Sequence, residues 1–278
     1  MTTLETASTP GTNVSQAIET RGGRVTQRHG RVIQIVSLIV VLVLWQVSGL
    51  FLNKILISTP SEIVSDFVEI LLNGQLIRAF LGSAAEMAVG FTLACVVGIS
   101  LGVLMGRWKT AERTVDPLVS FGNATPTIAL LPVMEIWFGL GLAARLAFIF
   151  TICLWSLLIN TLAGVKNVNR GWADVGISFG LSPFAATRRI FIPAAMPFIF
   201  AGMRVALAQA AVGMVLSGQE IGETGLGGLV QEFGSFFQTG YLIAAIISST
   251  TLAFMAFWVL SRAQNYFFPW IRAVSARR

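Results

Sequence analysis

Six runs of about twenty mostly apolar residues recur along the chain, at 33–52, 81–105, 117–138, 142–164, 194–216 and 241–263. Each is long enough as a helix to cross the ~30 Å hydrocarbon core of a bilayer. Backbone in lipid finds no water for its N–H and C=O groups, so runs of this kind are restricted to helices. The chain is therefore predicted to be an all-α, polytopic membrane protein with about six transmembrane helices. Of its 278 residues 55% are hydrophobic and 12% charged, with a mean hydropathy of +0.76, which excludes an ordinary soluble domain.

The basic residues lie in short patches at the ends of these runs and act as topology signals. With the N-terminus inside, fifteen of the nineteen fall in the cytoplasm: Arg21, Arg24, Arg28 and Arg31, then Arg107, Lys109 and Arg113, then Lys166, Arg170, Arg188 and Arg189, then Arg262, Arg272, Arg277 and Arg278. Lys54, Arg78 and Arg145 fall outside, and Arg204 lies within the fifth run. The net charge of +6 is thus accounted for by the lipid bilayer and gives no reason to expect nucleic acid as a partner. Residues 1–30 are too long and too polar for a signal peptide, and the following run lacks a small-residue cleavage site. They are expected to form a disordered cytoplasmic tail. The organisation that follows is the tail 1–30, a first span with an outer amphipathic segment over 31–79, a core over 80–265 and a cytoplasmic tail 266–278.

Local patterns refine this outline. In LISTPSEIVSDFVEILLNGQL, Ser61 precedes Glu62 and apolar residues recur at Ile63, Phe67, Ile70 and Leu71, the pattern of a short amphipathic helix at the membrane surface. Gly90, Ala94, Gly98, Gly102 and Gly106 stand four apart and predict a seam where another helix approaches closely. Pro126 and Pro132 in the third run predict either a broken helix beside a translocation path or a merely structural kink. Cys95 and Cys153 lie inside apolar runs and read as packing residues.

Several chemistries are excluded. No phosphate-binding Gly-x-x-x-x-Gly-Lys-Ser/Thr sequence occurs, and none of the lysines follows a glycine. Leu216, Ser217, Gly218 and Gln219 match part of an ATPase signature, but at the outer end of the fifth run with no nucleotide domain around them. Gly98 to Gly102 fits Gly-x-Ser-x-Gly without a preceding strand, and the one histidine, His29, is in the N-terminal tail. Serine hydrolysis and a zinc site of His and Cys are excluded, and the chain is not expected to be an enzyme. Carboxylates inside the runs, Glu86, Glu135 and Glu220, each face either a buried partner, for which Arg145 and Arg204 are available, or a water-filled path.

The polar island GWADVGISFGLSPFAATRR at 171–189, followed by IFIPAAMPFIF, resembles the EAA loop of membrane subunits of binding-protein-dependent ABC importers. That loop reads E-A-A, three residues, G, nine residues, I-x-L-P. Asp174 stands for the Glu, Val175 and Gly176 for the two Ala and Ile192 for the Leu, while Gly180, Ile190 and Pro193 match outright. The resemblance continues from about Leu56 to Trp270 through LISTPSEI, AVGFTLACVVGISLGVLMGR, VDPLVSFGNATPTIALLPVMEIWFGLG and ETGLGGLV. These are similar to landmarks of the permease subgroup serving nitrate, sulfonate, taurine and bicarbonate, with relatives for thiamine-precursor pyrimidines, riboflavin and aromatic acids. Two positions depart from the pattern: Glu86 stands where relatives often carry Arg, and Glu135 where they usually carry an aliphatic residue.

The resemblance implies a type I ABC importer permease of the bacterial inner membrane, with both termini cytoplasmic. It implies pairing with a second permease copy, two cytoplasmic ATPase subunits that bind the ATP and Mg, and a periplasmic or lipid-anchored substrate-binding protein. The loop 166–193 would couple to the ATPase through Asp174, Gly180, Leu181, Ser182, Arg188, Arg189, Ile190 and Pro193. Glu135, Glu220, Pro126 and Pro132 are candidates for the translocation path of a small polar or anionic solute. A secondary transporter using the intramembrane carboxylates is the alternative; related inverted halves would then be expected, and no such symmetry is evident.

Overall fold

The computed structural model describes residues 33–49, 58–222 and 224–268. The N-terminal tail, Lys54, most of the C-terminal tail and the end of the first expected span at 50–52 lie outside them. Every regular element among the described residues is helical. Two compact units are distinguished, one ending at Glu62 and one beginning at Ile63.

In the first unit, α1 (Ile33–Gly49) is an apolar helix. Gln46 at its end donates from Nε2 to Ser61 Oγ at 3.0 Å and accepts at Oε1 from Ser61 N at 3.3 Å. The next helix starts with a capping box: Glu62 N donates to Thr59 Oγ1 at 3.3 Å and Thr59 N to Glu62 Oε2 at 3.1 Å. The cap is thus Thr59, two residues before the Ser61 singled out by sequence, with Pro60 at the first helical position, where no N–H is missed.

α2 (Pro60–Leu72) belongs to the second unit from Ile63 on, and Ile63 and Ile70 of its apolar stripe are buried. There α3 (Gln75–Arg107), α6 (Leu142–Lys166), the stretch Pro183–Glu220 and α11 (Thr239–Phe267) are long and apolar enough to cross a membrane. With α1 and one bent helix pair they occupy the six expected windows.

That bent pair, at the third expected window, is a broken helix and not a mild kink. α4 (Lys109–Ala124) stops at Thr125, and after a 3-10 turn (Thr127–Leu130) and α5 (Leu131–Phe138) the direction has changed by 96°. Thr125 and Pro126 are both extended, with ψ 128 and 104, and for Thr125 the clash with the following proline ring favours this. Pro132 kinks nothing: it sits in the first turn of α5, where its missing N–H is not needed.

α6 forms the centre. Along α3, a Cβ added to Gly90, Gly98, Gly102 or Gly106 would meet Ile149, Leu157, Thr161 or Val165 at 2.6–2.9 Å. The predicted seam is therefore the α3–α6 contact, two parallel helices at backbone distance. On another side α6 runs antiparallel to α9 (Ile192–Glu220), with close approaches of Gly164 to Ala195 and Phe198, Gly202 to Asn160, and Gly213 to Ile152. Cys153, fully buried in this core, donates from Sγ to Ala206 O at 3.2 Å, which fits its reading as a packing residue. α10 (Gly225–Ser235) crosses the end of α9 so closely that a Cβ on Gly227 would meet Val215 O at 2.2 Å and Gly218 Cα at 2.9 Å. The Leu216–Gln219 match is thus part of a helix crossing, and the Gly98–Gly102 match part of the seam.

Candidate functional site

The polar island folds as three short elements at one end of the bundle. α7 (Arg170–Ser178) follows directly on α6 and ends at Gly180, whose φ of +77° is the left-handed geometry that favours glycine. Leu181 N reaches back to Gly176 O at 3.1 Å, the six-to-one bond of a Schellman C-cap. A Cβ on Gly176 would meet Ile190 Cδ1 at 2.5 Å and Leu181 Cδ1 at 3.2 Å. Glycine at 176 and 180, with isoleucine at 190, therefore folds α7 back on the segment that enters the next span.

Ser182 Oγ then accepts from Ala185 N at 3.3 Å and caps α8 (Pro183–Ala186). A π-helical turn (Thr187–Phe191) leads into α9, with Pro193 in its first turn. Arg107, at the end of α3, donates from Nε to Thr187 Oγ1 at 3.0 Å, and its guanidinium lies 3.8 Å over the Phe191 ring. At the base of the segment, Lys166 on α6 pairs with Glu112 on α4.

Asp174, Ser182, Arg188 and Arg189 are exposed, while Leu181 and Ile190 are half-buried. The sequence reading missed the apolar part of this surface: Trp172, Val175, Phe179 and Phe184 are 58%, 56%, 84% and 76% exposed. Trp172, Val175 and Phe179 stand three and four apart, one face of α7. The available signal was the presence of aromatic residues in an otherwise polar island.

The path candidates separate. Arg145 donates to Glu86 from Nε, at 3.1 Å to each carboxylate oxygen, and from Nη2 to Oε1 at 2.8 Å. Its Nη1 donates to Ile221 O at 3.1 Å, so one side chain ties α3, α6 and the end of α9 together. Glu86 is accordingly half of a structural ion pair. Arg204 partners no carboxylate among the described residues and instead donates to Gln264 Oε1 at 2.8 Å.

Glu135 is half-buried with no side-chain partner among the described residues, and Glu220 is exposed. Leu131 and Met134 of α5 pack with Ala144, Phe148 and Ile221, so Glu135 and Glu220 share the end of the bundle where α6 begins and α9 ends. Pro126 and Pro132 flank the broken segment of the bent pair. At the same end, Gly225 (φ +65°) and Ser83 account for part of ETGLGGLV: Leu226 N donates to Ser83 Oγ at 2.9 Å.

Residues 94–272 match the family of binding-protein-dependent transport system inner membrane components. The chain is 28% identical over 242 residues to the aliphatic sulfonates transport permease protein SsuC of Bacillus subtilis, covering 86% of this chain and 87% of that one. It is 26% identical over 232 residues to the taurine transport system permease protein TauC of Escherichia coli, covering 81% and 84%. In fold it is similar to a chain of the inward-facing MetNI methionine ABC transporter, with TM-score 0.61 and 17% identity over 72% of this chain and 95% of that one.

Proposed function

This chain belongs to the binding-protein-dependent transport system inner membrane components, and from that premise we propose that it forms the translocation path for a small anionic solute and takes its drive from an ATPase docked on residues 166–193. It is a permease subunit of an ABC importer of the nitrate, sulfonate, taurine and bicarbonate type, partnered by ATPase and binding-protein components, and not an enzyme. The named substrates of SsuC and TauC support a sulfonate or similar oxyanion as cargo. Neutralisation of Glu86 by Arg145 removes one of the three negative charges, Glu86, Glu135 and Glu220, that would oppose it.

The observation that carries the docking assignment is the exposed apolar face of Trp172, Val175 and Phe179 with Phe184 beside it. Such a patch on a segment otherwise surrounded by charge marks an interaction site. Closure of the ATP-bound ATPase would move α7 as a rigid piece. The back-folded Gly176–Ile190 contact and the Arg107–Thr187 bond would pass that movement to α9 and α3. The clustered Arg170, Arg188 and Arg189 support a cytoplasmic position for the segment. A second permease copy, identical or similar, would complete the path.

The experiment is co-purification of the ATPase with the permease, together with uptake in reconstituted vesicles. Trp172→Ala with Phe179→Ala removes only exposed surface, so expression and melting temperature should hold while ATPase retention and uptake fall. Gly180→Arg should also lower ATPase retention and uptake, with some loss of melting temperature, because it places a long charged side chain at a left-handed corner. Full retention and normal uptake in both variants would refute the docking assignment.

A further inference from the structure

The chain between α8 and α9 is wound one residue too wide for an α-helix. Ile192 N donates to Thr187 O, five residues back, where the α-helical partner would be Arg188 O. Pro193 supplies a reason: it has no N–H to offer Arg189 O, and its ring crowds that carbonyl, so a widened turn just ahead of it relieves the clash. Turns of this kind mark places where a helix bends, and they are frequent at functional sites.

Arg107 grips this turn at both ends. From the last residue of α3, its Nε donates to Thr187 Oγ1 at 3.0 Å and its guanidinium lies 3.8 Å over the Phe191 ring. Thr187 and Phe191, the first and last residues of the turn, are both buried. Thr187 Oγ1 donates in turn to Pro183 O at 2.9 Å, so one chain of bonds runs from α3 through the turn to the start of α8. Ile190, within the turn, abuts Gly176 of α7. α3 is tied to α6 by the glycine seam, whereas α7 carries the exposed apolar face. The turn thus stands between the rigid bundle and the docking face, with Arg107 as a grip from the bundle side. Among the described residues the guanidinium has no carboxylate partner. A hydroxyl and a ring hold it without the lock of an ion pair, so the grip can be strained and restored in each cycle.

We propose that Arg107 is the positioning residue of energy coupling: it ties α3 to the Thr187–Phe191 turn, so that movement taken up by α7 from the ATPase is passed to the bundle instead of being lost in the turn. Without this grip the widened turn would yield by itself, and α7 would follow the ATPase while α3 stayed where it was. The inference rests on the docking reading above and adds the residue through which the bundle receives the movement.

The test uses the permease–ATPase complex in nanodiscs, with and without trapping by ATP and orthovanadate, and follows amide hydrogen exchange segment by segment, which reads local opening equilibria. On trapping, exchange in α7 should slow, and exchange over residues 104–108 should shift by about fivefold, the low end of coupling between distinct sites. In Arg107→Met, which keeps an apolar stem but neither charge nor donor, α7 should still slow while the shift at 104–108 is lost. Arg107→Lys should retain the shift, because an ammonium can donate to the hydroxyl and lie over the ring. A merely structural role would alter exchange at 104–108 without nucleotide and leave the nucleotide-dependent difference intact; that result overturns the proposal, as does an Arg107→Lys variant that behaves like Arg107→Met. Should Arg107→Met fail to assemble, Thr187→Val removes the hydroxyl at nearly constant shape, and an unchanged shift in that variant overturns the proposal equally. If α7 responds to trapping in the unaltered chain and residues 104–108 do not, only this inference falls; if α7 does not respond, the docking reading falls with it.

Discussion

Glu86 and Arg145, 59 positions apart and bonded at 2.8 Å, form the first rung of a ladder that runs the length of the α3–α6 contact. Gly90 with Ile149, Gly98 with Leu157, Gly102 with Thr161 and Gly106 with Val165 keep the same offset. A constant offset in steps of four is what two parallel helices packed on small residues produce. The ion pair thus sets the register at one end, and the glycines allow it along the rest.

Removing one member of the pair leaves the other charge buried. Glu86→Gln should therefore lower the melting temperature of the purified protein, at a cost towards the lower end of ~3–5 kcal/mol, since Arg145 keeps its bond to Ile221 O. Replacing both by Leu should recover much of that loss. Lost uptake without lost stability in Glu86→Gln would show instead that the carboxylate acts on the solute.

Glycines of the seam should differ from glycines off it. At Gly102 an added Cβ meets Thr161 Cβ at 2.6 Å and Leu158 O at 2.9 Å, so Gly102→Ala should cost about 1–3 kcal/mol through forced separation of the helices. At Gly82, in the same helix, nothing lies within 4 Å, and Gly82→Ala should be neutral or stabilising by up to ~1 kcal/mol. Thermal denaturation of the two variants side by side checks the contrast; equal effects would contradict the seam.

Orientation is tested by labelling intact cells with a membrane-impermeant thiol reagent. The structure dictates the probe positions: Thr187 is only 8% exposed and would escape labelling on either side, and Glu223 lies outside the described residues. Arg188 and Ser235 are exposed and belong to opposite ends of the antiparallel α6–α9 pair. Only a cysteine at 235 should react; reaction at 188 would reverse the proposed topology.

Glu135 has no partner among the described residues, so Glu135→Gln should leave stability within about 0.5 kcal/mol. As a proposed rim residue of the path, it should change uptake of an anion by altering the local field. Unchanged uptake, or a clear drop in melting temperature, would remove Glu135 from the path.

The apolar runs, the α3 glycine seam and the Gly180–Ile190–Pro193 spacing were legible in the chain because each depends on residues within a few turns of one another. Helix formation in lipid, close approach and a left-handed cap are local demands, and the residue types that meet them are few. Partner choice is not local. That Arg145 takes Glu86 while Arg204 turns to Gln264 depends on how helices 59 and 60 positions apart in sequence are rotated against each other. The 96° break at Pro126 instead of a kink at Pro132, and the burial of Thr187 beneath Arg107, have the same origin. Sequence determined which segments enter the membrane and where the chain can bend; packing between distant helices decided which charges are neutralised and by which partner.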